Sequence, residues 1–378
     1  DQEAALAPLR EAVAIAEAQL GPLHEQTLSA LGLLSNTCKR FCLYDEALRT
    51  IELSMARTRQ ALGAARPHTR LTHQERWYAD ALVSAERPAD AEPIARQVVA
   101  DQRALDGEFS RRVVNAMACH AQALSGMGRT VEAVAMAKAA ALRLDELSDG
   151  ENEDTATFAY RLAVALMPTR RVVEIDAQLD RDERAWRQVG AELTQAPLRR
   201  HIRRAAVQAW RGNAAACQAL LAAGEAEAAA QAPAPWAALE RARLETVRAM
   251  GLRLQGQWQA GIASARHALA LGEACGLAAL GQAQAHTELG LILIEVNDLA
   301  AADQHLQQAL RLYAQAQVIP SLVTADAQLG VGRLHLLAGR RAEARQQFGF
   351  VEACWAEGHA GSVWHGQAQD WLRRVGTP

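Results

Sequence analysis

The reactive side chains of this 378-residue chain are scattered, and their spacing does not build a catalytic or metal centre. Cys119 and His120 are adjacent, a pairing that could supply a thiol nucleophile or two metal ligands. Neighbours on a helix point about 100° apart, however, so the two do not converge on one atom. His120 falls at a core position of its helix and reads as a satisfied core histidine. Cys38 and Cys42 lie one helical turn apart, but two thiols are too few for structural zinc, and no nearby His or Cys completes the set. Gly330-Val-Gly332-Arg-Leu-His335 opens like a dinucleotide loop yet lacks the third glycine and a preceding strand. Asp180-Arg-Asp182-Glu183 has no turn glycine to shape a calcium loop. P-loop, HExxH and nucleophile-elbow patterns are missing. The residues point to no enzyme, no metal and no cofactor.

The elements that carry these residues are helices. Half of the chain is apolar, 4% is aromatic and 22% is charged, a balance that buries a core and excludes wholesale disorder. Alanine supplies much of the apolar share, and it is both the best helix former and small enough for close packing. Alternating β-branched runs joined by Asn-Gly turns are absent, which removes the usual strand signal. The net charge of −3 names no partner. The basic run Leu198-Arg199-Arg200-His201-Ile202-Arg203-Arg204 sits in helical periodicity and reads as a solvated face, so nucleic-acid binding is not expected.

Helix-breaking positions recur at a fixed spacing. They are Cys42, Glu86, Gly128, Arg170, Gly212, Gly256, Asn297 and Gly339, separated by 44, 42, 42, 42, 44, 41 and 42 residues. Seven residues before each stands a small residue: Ser35, Ala79, Ala121, Ala163, Ala205, Ala249, Gly290 and Gly332. Five residues after each stand Ala47, Ala91, Ala133, Ile175, Cys217, Gly261, Ala302 and Ala344, with Ile175 alone being large. Two such columns mark the crossing of two antiparallel helices, where only a small side chain fits.

Small–turn–small columns at this spacing resemble the tetratricopeptide repeat (TPR). The segment His24-Glu-Gln-Thr27, Leu31, Leu34, Tyr44-Asp-Glu46-Ala47 and Leu62-Gly63 resembles the long repeats of kinesin light chains, about 42 residues instead of 34. Similar alanine-rich arrays occur as arms of bacterial signalling proteins, behind a Ser/Thr kinase or a transcription-activator domain. The implied fold is all-α, a right-handed α-α superhelical solenoid of TPR hairpins. Residues 1–20 read as the second helix of an incomplete repeat, because Ala5 lies 42 before Ala47. Residues 21–150 hold repeats 1–3, 151–195 an irregular fourth repeat, 196–358 repeats 5–8 and 359–378 a capping helix with Trp364 and Trp371. The fourth repeat departs through Pro168, Arg170, Ile175 and the preceding acidic stretch 149–154, and a bend is expected there. Pro233 and Pro235 are expected to end one helix and set the next. Half a hairpin caps a solenoid poorly, so the sequence is expected to be part of a longer chain.

The resemblance also implies where a partner sits. In a TPR superhelix the first helix of each hairpin lines the concave groove, at 13, 10, 6 and 3 residues before the turn position. Those offsets select Ser29, Gly32, Asn36 and Lys39, then His73, Arg76 and Asp80, then Asn115 and Gln122. Later repeats contribute Arg243 and Arg253, the apolar Leu291 and Ile294, then Asp326, Leu329, Arg333 and Leu336. Asparagines bridge the N–H and C=O groups of an extended peptide, and arginines clamp an acidic group. The apolar later positions suggest a hydrophobic anchor or a packing surface. A protein or peptide in this groove is the leading partner; a self-assembling scaffold, such as a homodimer, is the alternative. No run of apolar residues is long enough to insert in a membrane. Six dispersed cysteines without a CxxC pair favour a reducing, cytoplasmic setting over an extracytoplasmic sensor region.

Overall fold

A computed structural model describes residues 2–63, 67–147, 152–190, 195–231 and 234–376, and among them every regular element is helical. Asp149 to Glu151 of the acidic stretch, and Pro233, lie outside the described residues. The helices are α1 (Gln2–Leu20), α2 (Glu25–Arg40), α3 (Tyr44–Leu62), α4 (Thr69–Ser84), α5 (Pro88–Asp106), α6 (Arg111–Gly126) and α7 (Thr130–Leu147). They continue as α8 (Glu153–Leu166), α9 (Val172–Val189), α10 (Ala196–Trp210), α11 (Ala214–Ala230), α12 (Pro235–Leu254) and α13 (Trp258–Cys275). The last are α14 (Ala279–Glu295), α15 (Leu299–Gln315), α16 (Ala325–Leu337), α17 (Arg341–His359) and α18 (Val363–Val375). Proline begins α12, where its missing N–H costs nothing.

Each even-numbered helix from α2 to α16 is separated from the next by one of the spaced turn positions. All eight of those residues adopt a left-handed backbone, with φ from 51° at Arg170 to 79° at Gly128. At six of the eight turns the next residue then bonds back to the helix, as in Leu43 N–H to Cys38 O, Arg87 N–H to Leu82 O and Asn213 N–H to Gln208 O, at 2.8 to 3.0 Å. This 6→1 bond satisfies a carbonyl that the helix end would otherwise orphan. The turn thereby folds the second helix back on the first.

The small columns meet where these helices cross. Ala79, Ala91, Ala163, Ala205, Ala302 and Ala344 have no exposed surface, and Ser35 Oγ donates to Ala47 O at 2.7 Å. A direct side-chain-to-backbone bond across the hairpin fixes how close the two helices come. Ile175, the one large member, is also fully buried, and the fourth hairpin keeps the register of the others. Successive first helices also touch each other, α2 with α4, α4 with α6, and α14 with α16, so they share a layer.

The chain forms two compact units: residues 1–126, 135–150 and 234–236 in one, and 127–134, 151–233 and 237–378 in the other. In the first unit, Leu48, Leu82, Ala95 and Cys119 pack into one of the buried clusters. In the second unit Leu289, Ile292, Leu306 and Val331 interlock α14, α15 and α16.

The second unit also closes on itself through residues distant in sequence. Arg170, at the left-handed turn, extends its guanidinium among three indoles, 4.2 Å from Trp364, 5.1 Å from Trp355 and 5.5 Å from Trp210, and ion-pairs with Asp326. Beside it Arg171 Nη2 donates to Gly358 O at 3.2 Å and His359 Nδ1 to Thr169 O at 2.8 Å. Ile319 N–H reaches Met127 O at 2.9 Å. At the carboxyl end, Trp371 stacks on Phe348 with ring centroids 5.4 Å apart.

Candidate functional site

A cavity of about 510 Å³ opens between α2 and α4, and two of the residues selected by the groove offsets lie on its wall. Ser29 and His73 line it, joined by His68, Gln74, Trp77 and Arg112. The Trp77 ring lies over Gly32, where an added methyl would overlap it. His73 meets the same indole edge-on, with ring centroids 4.3 Å apart. Burial, then the nearby Arg76 and Arg112 charges, pull the His73 pKa down to about 4. Its imidazole is therefore neutral at pH 7. Gln74 is buried and gives its Nε2 to Ser54 Oγ at 2.8 Å, leaving its Oε1 with no hydrogen-bond partner. His68 Nδ1 is likewise unpartnered. Unmet buried polar atoms at a cavity wall are an opening for a ligand's donors.

Deeper along the same helices, Lys39 and Asp80 form an ion pair, with Asp80 only 6% exposed. Each neutralises the other, so neither offers a net charge to a partner. Asn36, Asn115 and Gln122 are half-buried, and Gln122 Oε1 has no partner. Arg76 is half-buried and engaged. His120 is buried against Glu92, with Nε2 to Oε1 at 3.2 Å. Cys38 is buried, which with the neighbouring Glu46 carboxylate pushes its thiol up to about 11, away from nucleophilic use.

In the second unit most groove-offset charges are paired within the fold. Arg253 Nε meets Glu288 Oε2 at 2.7 Å, and Arg333 pairs with Glu295 at 2.8 Å while lying over Trp371. Asp326 is taken by Arg170. Arg243 donates to Glu240 Oε1 at 2.8 Å. Leu291 and Ile294 are buried inside the unit, so they are core residues and not the exposed anchor that their polarity suggested. The basic run also departs from the solvated face expected of it. Leu198 and Ile202 are core, Arg200 is 7% exposed on a buried Asp182, and Arg199 binds Glu240 at 2.7 Å. Asp180 and Glu183 of the acidic run both hold Arg204.

The offsets also pass through residues not picked from the sequence. Arg199 stands thirteen before Gly212, and Tyr160 stands ten before Arg170. The regular spacing, carried through the irregular fourth hairpin, would have found both. Trp77 and Gln74 fall outside the offsets, and only the packing of α4 on α2 reveals them. Among the described residues no helix is long and apolar enough to cross a membrane.

No protein-family model matches the sequence, and no curated protein matches it. Among solved structures the chain is similar to a Rap protein complexed with competence and sporulation factor, with a TM-score of 0.64 at 12% identity over 92% of this chain and 96% of that one. It is similar to NprR in complex with its cognate peptide NprX, with a TM-score of 0.63 at 10% identity over 89% of this chain and 97% of that one. The APC/C hetero-tetramer Cut9–Hcn1 gives a TM-score of 0.52 at 11% identity, over 98% of this chain and 59% of that one. Similarity at such identities is similarity of fold. With the hairpin register above, it makes this chain an all-α helical-repeat solenoid, an array of TPR-type hairpins.

Proposed function

We propose that the chain binds a peptide along its first helices and serves as the recognition arm of a larger bacterial signalling protein, acting by binding and not by catalysis. The observation that carries this reading is the cavity of about 510 Å³ in the first unit. It sits on the face the repeat offsets assign to the groove, and it combines an aromatic wall with unmet polar atoms. Trp77 supplies apolar surface for one side chain of the peptide, and Gln74 supplies an acceptor for its N–H groups. Similar folds support it: one holds its cognate peptide and another a competence and sporulation factor.

The test is selection of a random peptide library on the full chain, followed by titration of the recovered peptides. Trp77→Ala should weaken binding by about tenfold or more, as loss of a buried aromatic anchor does. Leu142→Ala, at a residue 63% exposed on α7, should leave it unchanged. Recovery of no peptide, or equal binding by both variants, would refute the reading. If a second copy of the chain fills this face instead, light scattering will show a stable oligomer that Trp77→Ala dissociates.

A further inference from the structure

Three guanidiniums of the second unit gather around one carboxylate on two successive first helices. Arg199 and Arg203 come from α10, and Glu240 and Arg243 from α12. Arg199 Nε and Arg243 Nη1 both donate to Glu240 Oε1, at 2.7 and 2.8 Å. Burial alone would raise the Glu240 pKa; Arg243, Arg199 and Arg203 outweigh it and hold the carboxyl at about 2. Glu240 is 1% exposed, yet those charges keep it ionised, and it acts as the positioning residue that points two arginines along the helix layer.

Arg203 is different. Its guanidinium lies over the Tyr160 ring at 5.1 Å, and its Nη1 reaches only the Arg199 carbonyl, at 3.5 Å. It makes no ion pair among the described residues, and its Nε is shut away from solvent with no partner. Structures seldom leave a guanidinium donor unused in this way. Arg199 and Arg243 retain about a third of their side-chain surface, 29% and 34%, so a ligand can reach the cluster.

The position matters as much as the charge. Tyr160 stands ten residues before its turn, and Arg199 and Arg243 stand thirteen before theirs, on the face assigned to the peptide. Planar guanidiniums match a carboxylate in two-point contact, and the aromatic ring flanks a short side chain. A polyanion would need basic surface extending well beyond one cluster, whereas the chain is net acidic at −3. Resting on the peptide-binding reading, we propose that Tyr160, Arg199, Arg203 and Arg243 form a subsite that selects an acidic residue, Asp or Glu, in the bound peptide.

Two labelled hexapeptide pools decide it by fluorescence anisotropy with the full chain: one with Asp or Glu fixed at one position, one with Asn or Gln there. The acidic pools should bind about tenfold tighter, the size of one charge-assisted contact, and should weaken as salt rises. Arg203→Gln, which leaves both hydrogen bonds to Glu240 in place, should remove the preference while the chain still unfolds cooperatively in urea. The wild-type comparison stands alone if that variant misfolds. Equal binding of both pools overturns the acidic subsite and leaves peptide binding intact. Binding of neither pool overturns peptide binding and the subsite with it. Capture of a labelled mixed-sequence RNA that depends on Arg203 overturns the proposal in favour of nucleic acid.

Discussion

His73 is kept neutral by its burial beside Arg76 and Arg112, and this links stability to acidity over a defined window. Its pKa falls from an ordinary value of 6.5 to about 4 in the folded chain, so between those values the unfolded chain binds the extra proton. That contribution is fully present above pH 6.5, declines as the pH drops below it, and levels off near pH 4. His286, also lowered to about 4 by burial and His305, adds to the same slope in the second unit. Urea midpoints measured at pH 7 and pH 5 should therefore fall, and His73→Asn should flatten part of that fall; an unchanged slope would contradict the burial. Gly32 makes a second prediction at this scale. A methyl there meets the Trp77 ring, so Gly32→Ala should cost about 1–3 kcal/mol in urea unfolding and displace the cavity wall. A fixed offset in the sequence singled out Ser29 and His73, which line the cavity. The sequence hid Trp77 and Gln74, whose role depends on how one helix packs across another. It hid the pairing of Lys39 with Asp80 for the same reason.

At the scale of the element, the turn is the unit that repeats. Its left-handed residue costs a branched side chain strain and costs glycine none. Gly212 has φ of 73° and empty space around it, so Gly212→Val should destabilise by about 1–2 kcal/mol through the backbone alone. Asn297 already occupies the same conformation with φ of 61°, and Asn297→Gly should shift the urea midpoint little. A Gly212→Val protein as stable as wild type would break the account of the turns. These elements were the most legible part of the chain, because a backbone rule and a packing rule coincide at one spacing. The basic run on α10 misled for the opposite reason: charge on a helix reads as solvated until buried carboxylates, here Asp182 and Glu240, are placed beside it.

The contacts that close the second unit emerge only at the scale of the molecule. Pro168 and Arg170 read as departures from the repeat; folded, Arg170 enters the indoles of Trp210, Trp355 and Trp364 and pairs with Asp326. No local pattern announces a partner 156 residues away. Removing the guanidinium leaves the half-buried Asp326 carboxylate and three ring faces without it, so Arg170→Ala should cost about 1–3 kcal/mol and speed hydrogen exchange in α17 and α18. Arg170→Lys should not restore it, since an ammonium cannot lie flat among the rings. The central claim, however, is that the first helices form the recognition face. Hydrogen exchange of the full chain, with and without a library-selected peptide, tests it most directly. Added protection should fall in α2, α4 and α6, strongest around Trp77, with α3 and α5 unchanged. Protection confined to the second helices of the hairpins, or spread evenly along the chain, would contradict it.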